Sequence, residues 1–167
     1  MSTVDDALAE DLITVEIVGL PVDVQLEAQQ QNDELTRELV LVAEQLRQEG
    51  DSAALPVRFV ELVGTLSTRY SMFTAEQEQQ LRTAIESGAD RLDMTYRVPR
   101  SAAAAAAHLG DILDEVDDYC RRGKLLLTLA TPEKLVTYRR WFLDQFVSQA
   151  AGGPPVSWVE YAAKPVN

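Results

Sequence analysis

Two stretches of the chain alternate apolar and polar residues, and each runs through a proline into a long stretch of helical periodicity. In Leu12–Val18, Ile13, Val15 and Ile17 fall on one side, and Gly19-Leu20-Pro21 closes the run. In Arg91–Val98, Leu92, Met94, Tyr96 and Val98 oppose Asp93, Thr95 and Arg97, and Pro99 ends it. A period of two predicts a strand with one buried face, and proline lacks the N–H that a sheet ladder needs. After the first strand a helix is expected to about Gln48, with Val24, Ala28, Leu35, Leu39, Val42 and Leu46 as its apolar stripe and Asn32 lying on it. A polar residue at such a position predicts a buried hydrogen bond.

A short loop, Asp51 to Ala54, leads to Leu55-Pro56 and a helix whose face is Phe59, Val60, Val63, Leu66 and Tyr70. Thr74 with Gln77 has the spacing of a capping box for a helix through Leu81, Ala84 and Ile85 to Gly88. Past the second strand, Ser101 is placed to N-cap a helix on which Ala102, Ala105, Leu109, Ile112, Val116 and Tyr119 or Cys120 recur. Arg121, Arg122 and Gly123 suit its C-terminus. The run Lys124–Ala130 is short and apolar and predicts a buried strand, which would pair in parallel with Arg91–Val98 by a right-handed crossover. Thr131 as N-cap with Pro132 after it opens the last long helix. Ala151-Gly-Gly-Pro-Pro155 breaks the chain, leaving a tail with room for a short strand.

The expected fold is α/β and predominantly helical: one domain, residues 12–151, with about three short strands and about five helices. A loose acidic tail, residues 1–11, precedes it and residues 152–167 form a C-terminal tail. Leu20-Pro21 and Val98-Pro99 stand 78 residues apart, and Asp33 and Leu35 match Asp111 and Leu113 at that offset. A duplication relating 12–50 to 91–130 accounts for this, as does convergence on one good strand-to-helix turn.

The net charge of −12 argues against nucleic acid, whose phosphates reward clustered Lys and Arg. The charge is lopsided. Residues 1–90 hold 18 acidic and 5 basic side chains, and residues 91–167 hold 9 and 10. That asymmetry suits contact with other proteins or a plain solvated acidic face. No apolar run approaches the roughly 18 to 20 residues of a membrane span. One cysteine, Cys120, excludes an internal disulfide framework and a cysteine-rich metal site. A cytoplasmic protein without cofactor or metal is expected, and the exposed edges of so small a sheet leave room for a homodimer.

His108 is the only histidine, with Asp111 a turn away, and no nucleophile accompanies it in sequence, so no catalytic residue is assigned. Asp111, Asp114, Glu115, Asp117 and Asp118 have the spacing of a wet helix face, although paired carboxylates can also hold a hard cation. The last helix offers more. Leu135, Tyr138, Phe142 and Phe146 form its core stripe, while Arg139, Arg140 and Trp141 leave on other faces. Arginine and tryptophan dominate protein-binding hot spots, so Arg139, Arg140 and Trp141, with Trp158 and Tyr161 of the tail, are the partner-binding candidates. The alternative is that Trp141 packs under the tail while the arginines pair with local acids. Thr131 and Lys134, at the start of that helix, are candidates for holding an anion.

The segments Tyr96-Arg-Val-Pro99, Leu109–Glu115, Asp118–Arg121, Leu126–Pro132 and Tyr138-Arg-Arg-Trp141 resemble a group of small bacterial proteins associated with partner-switching regulators. Those systems combine anti-sigma-type ATP-binding kinases, antagonist domains and serine phosphatases. The strand–Val-Pro–helix opening is similar to the start of the kinase domain, but neither its Glu-x-x-x-Asn box nor its Asp-x-Gly-x-Gly box follows here. The resemblance therefore implies a regulatory neighbourhood and no ATP site. The function expected is that of a non-catalytic regulatory protein that binds a protein partner. The alternative is a small-ligand or anion-binding protein, or an enzyme, with a pocket near Thr131 and Arg139/Arg140.

Overall fold

The computed structural model describes residues 11–123 and 130–164. Strand β1 (Leu12–Pro21) leads into helices α1 (Val22–Gln48), α2 (Leu55–Tyr70) and α3 (Ala75–Ser87), with a 3-10 turn, Ser71–Phe73, between the last two. Strand β2 (Arg91–Pro99) then leads into α4 (Ala102–Arg121), α5 (Glu133–Ala150) and the short α6 (Trp158–Ala162). The described chain thus runs strand, then three α-helices, twice.

β1 and β2 form a two-stranded antiparallel sheet. Their apolar residues share one period, so pairing them puts both stripes on the same face. Val15, Ile17, Leu20, Met94, Tyr96 and Val98 are all buried there. Among the described residues the partner of β2 is β1, an antiparallel pairing not expected from the sequence, and the run 124–129 expected as a parallel partner lies outside the described residues. The register runs from Leu12↔Pro99 to Ile17↔Met94 and shifts by one residue before Leu20↔Leu92. At the shift Gly19 adopts φ +68°, a left-handed conformation that disfavours side chains, and its N–H donates to Asp93 Oδ1 at 2.7 Å.

Each strand's free edge receives a glutamine from a helix at one residue, Glu16 on β1 and Thr95 on β2. Gln149 of α5 accepts from Glu16 N and donates to Glu16 O, both at 2.8 Å. Gln77 of α3 donates to Thr95 O at 2.6 Å. Edge backbone groups that would template aggregation are thereby occupied. Gln77 is the residue expected to complete a capping box with Thr74. Thr74 does precede α3, but makes no side-chain cap, because Gln77 is buried against β2 instead.

The core has two parts. Under the sheet, α5 and α6 contribute Leu135, Tyr138, Trp141, Phe146 and Trp158. Where α1, α2 and α4 meet, Leu35, Leu39, Phe59, Ile112, Leu113, Val116 and Cys120 pack together. Asn32, expected to be buried, is exposed, because the α1 stripe passes from Ala28 to Leu35 without it. There are six α-helices among the described residues where about five were expected. The sixth, α6, stands where the tail had room for a strand, and a capping box holds it: Ser157 Oγ accepts from Glu160 N, and Glu160 Oε2 from Ser157 N. No helix among the described residues is long and apolar enough to cross a membrane.

Candidate functional site

The last turn of α4 and the first of α5 are joined by a buried carboxylate. Asp117 was expected on a wet face with its acidic neighbours; it is only 2% exposed. Its Oδ1 accepts from Thr131 N at 3.1 Å and from Thr131 Oγ1 at 2.7 Å, and its Oδ2 lies 3.0 Å from Arg139 Nη2. The same nitrogen reaches Asp114 Oδ1 at 2.6 Å. Burying a charge is costly unless it is paired and hydrogen-bonded, and these bonds meet that condition for Asp117. The N-cap of α5 is Pro132, one residue later than expected, because Thr131 has turned both donors to Asp117.

This arrangement relocates most of the expected site. Thr131, a candidate anion holder, has Asp117 in the place an external anion would take. Lys134 is exposed and pairs with Glu27 at 3.3 Å. Arg139 is held by two carboxylates and is no surface grip, although its Nε is buried without a hydrogen-bond partner among the described residues. Arg140 is exposed, 3.6 Å from Asp114. Trp141 is fully buried and cannot meet a partner: its ring is tilted against Tyr138 and meets Trp158 edge-on, and Nε1 donates to Val156 O at 2.8 Å. Trp158 is buried with it, and Tyr161 is half-buried with its hydroxyl donating to Asp144. Burial and the Asp144 charge raise the Tyr161 pKa. The tail covers Trp141 because an indole brings a large apolar area and a donor that both need burial partners.

The remaining reactive groups are dispersed. His108 and Asp111 are exposed on α4. Glu115 pairs with Arg58 at 3.1 Å, and Asp118 with Arg121 at 3.5 Å. Cys120 is buried, and burial pushes its thiol pKa up, with the Asp117 charge adding and Arg121 opposing. Among the described residues no grouping of three or more His, Cys, Asp or Glu could hold a metal ion.

A groove of about 810 Å³ lies between α1, α3, α4 and α5. Leu81, Leu109, Leu113, Leu135, Tyr138 and Phe142 line its apolar depth. Gln25, Gln29 and Asn32 of α1 line one side and Glu78, Arg82 and Ile85 of α3 the other, each set at one residue per helical turn. In the depth Tyr138 donates its hydroxyl proton to Gln25 Oε1. Burial raises the Tyr138 pKa well above that of an ordinary phenol, so the hydroxyl stays neutral. Thr131 and Arg139 reach this groove at the α5 end. The groove was not legible in the sequence, because its walls come from four helices far apart along the chain. Compared with protein-family models, curated proteins and solved structures, the chain matches none.

Proposed function

We propose that this chain is a non-catalytic regulatory protein that takes a protein partner in the groove between α1, α3, α4 and α5. The observation that carries this reading is the groove itself, with apolar residues along its depth and polar side chains on both rims, Gln25, Gln29 and Asn32 on one and Glu78 and Arg82 on the other. Two apolar rim or wall residues, Leu81 and Ile85, are partly open to solvent, Ile85 at 39%. Apolar residues beside a concavity, bordered by polar ones, mark a contact surface more than isolated exposed apolar residues do. Arg139, Asp114 and Asp117 are engaged in pairs that join α4 to α5. Partner-switching in a bacterial cytoplasm is the setting proposed, on the resemblance of Tyr96–Pro99, Leu109–Glu115 and Tyr138–Trp141 alone.

The test is capture from extract of the cells that make this protein, comparing wild type with Leu81→Asp/Ile85→Asp. Wild type is expected to retain a protein that the variant loses while keeping its helical circular dichroism. Equal retention by both would remove the groove from the reading. A second reading, a small-ligand protein, draws on the same groove because Thr131 and Arg139 line it. Its anion form is not carried forward, since Asp117 engages both Thr131 donors and one side of Arg139. Its neutral form predicts a ligand that raises the melting temperature of wild type and not of the groove variant.

A further inference from the structure

We infer that the groove is built for an amphipathic helix with basic flanks, an inference that rests on the proposed function and names its partner's chemistry. The first support is charge. α1 carries six acidic residues against two basic, and α3 three against one. On the rim itself, Asp33 and Glu78 are exposed and have no ion-pair partner among the described residues. Arg82 donates to the neutral amide of Gln79 at 2.8 Å and keeps its charge, while Arg139 is paired with Asp114 and Asp117. Asp33 and Glu78 against Arg82, with Asp114 and Asp117 against Arg139, leave four negative charges to two positive, and lysine or arginine on the occupant's flanks complements that balance.

The second support is shape. The α1 rim from Gln25 to Asp33 and the α3 rim from Glu78 to Ile85 each extend on the order of 10 to 12 Å at the helical rise per residue. That is about two turns of an entering helix, whose i, i+3, i+4 and i+7 apolar side chains would lie along the groove. Gln25, Gln29 and Asn32 recur once per turn on the α1 rim, and Glu78 and Arg82 on the α3 rim before apolar Ile85, a spacing that matches the flanks of such a helix.

The experiment titrates a fluorescent Leu/Lys amphipathic peptide of about four turns into the whole protein and follows anisotropy. Two control peptides accompany it: one of the same composition in scrambled order, and one with glutamate in place of lysine. The Leu/Lys peptide is expected to bind at least about tenfold more tightly than either control and to weaken as salt rises. Ile85→Asp adds a negative charge beside the groove, so simple charge attraction predicts tighter binding of the Leu/Lys peptide. Seating of an apolar face predicts binding about tenfold weaker. Leu81→Ala, which adds no charge, is expected to weaken it too. Binding unchanged or tightened by Ile85→Asp overturns the inference, as does equal binding of the scrambled peptide. A dimer of the chain that Ile85→Asp dissociates, seen by sedimentation, places a second copy in the groove and also overturns it. If no peptide binds while the extract experiment still yields a groove-dependent partner, the partner chemistry fails and the proposed function stands.

Discussion

Asp117 and Arg139 illustrate how a charged pair can fix where a helix begins. Asp117 accepts from both donors of Thr131, and Arg139 reaches Asp117 across the α4–α5 contact. Asp117→Ala leaves Arg139 deprived of one carboxylate and Thr131 with two buried donors unmet. Its expected cost is about 3 to 5 kcal/mol, read as a lower urea midpoint. Arg140→Ala, on an arginine whose side chain is 60% exposed beside the same Asp114, is expected to cost less than about 1 kcal/mol. Equal effects of the two substitutions would contradict the structural role given to Asp117. The sequence marks both arginines and all the acids alike. Only the packing of α5 against α4 separates Asp117 from its neighbours, since a single residue step along α4 separates buried Asp117 from exposed Asp118.

At the scale of elements, the tail from Gly152 to Ala162 is fastened to the core through buried Trp158 and the backbone of Val156. Val156 is held from both sides, its carbonyl accepting from Trp141 Nε1 and its N–H donating to Gln145 Oε1 at 3.0 Å. The turn that brings it there is tight. Gly153 N–H donates to Ser148 O at 2.8 Å, and a Cβ on Gly153 would stand 2.9 Å from that carbonyl oxygen. Gly153→Ala is therefore expected to destabilise by about 1 to 3 kcal/mol, with Trp141 fluorescence shifting red as the tail lifts. The Gly-Gly-Pro-Pro run announces a break, and Ser157-x-x-Glu160 is a readable helix start. What the tail covers was left open in the sequence, which allowed Trp141 either to meet a partner or to pack under the tail, because an aromatic at its helical spacing serves a core or a surface equally well.

At the scale of the whole molecule, the part of the core that joins both strands to α5 and α6 is rich in aromatics, and its phenols make stability depend on alkaline pH. Burial pushes the Tyr96 pKa up to about 12 from an ordinary 10, with the Glu78 charge adding, and burial raises Tyr138 further. The folded state thus keeps both protons where the unfolded chain releases them. Stability from this source is complete below about pH 10 and is lost as pH rises toward and past 12. The urea midpoint is expected to fall between about pH 10 and pH 12, and Tyr96→Phe to reduce the fall. A midpoint that stays level over that interval would count against burial of the phenols.

The elements were legible because each depends on neighbours in sequence. Alternation at Ile13–Ile17 and Leu92–Val98 places strands, and the recurrence of Leu35, Leu39, Ile112 and Val116 places helix faces. Pairing was a different matter. β2 could have met any strand with a matching apolar face, and the choice of β1 follows from three-dimensional competition that no local pattern encodes. The groove arose in the same way, from Gln25, Leu81, Leu109 and Phe142, residues more than a hundred positions apart at the extremes. Local propensity writes the helices and strands into the chain; the burial of Trp141, the engagement of Arg139 and the opening of the groove depend on which surfaces meet when those elements pack.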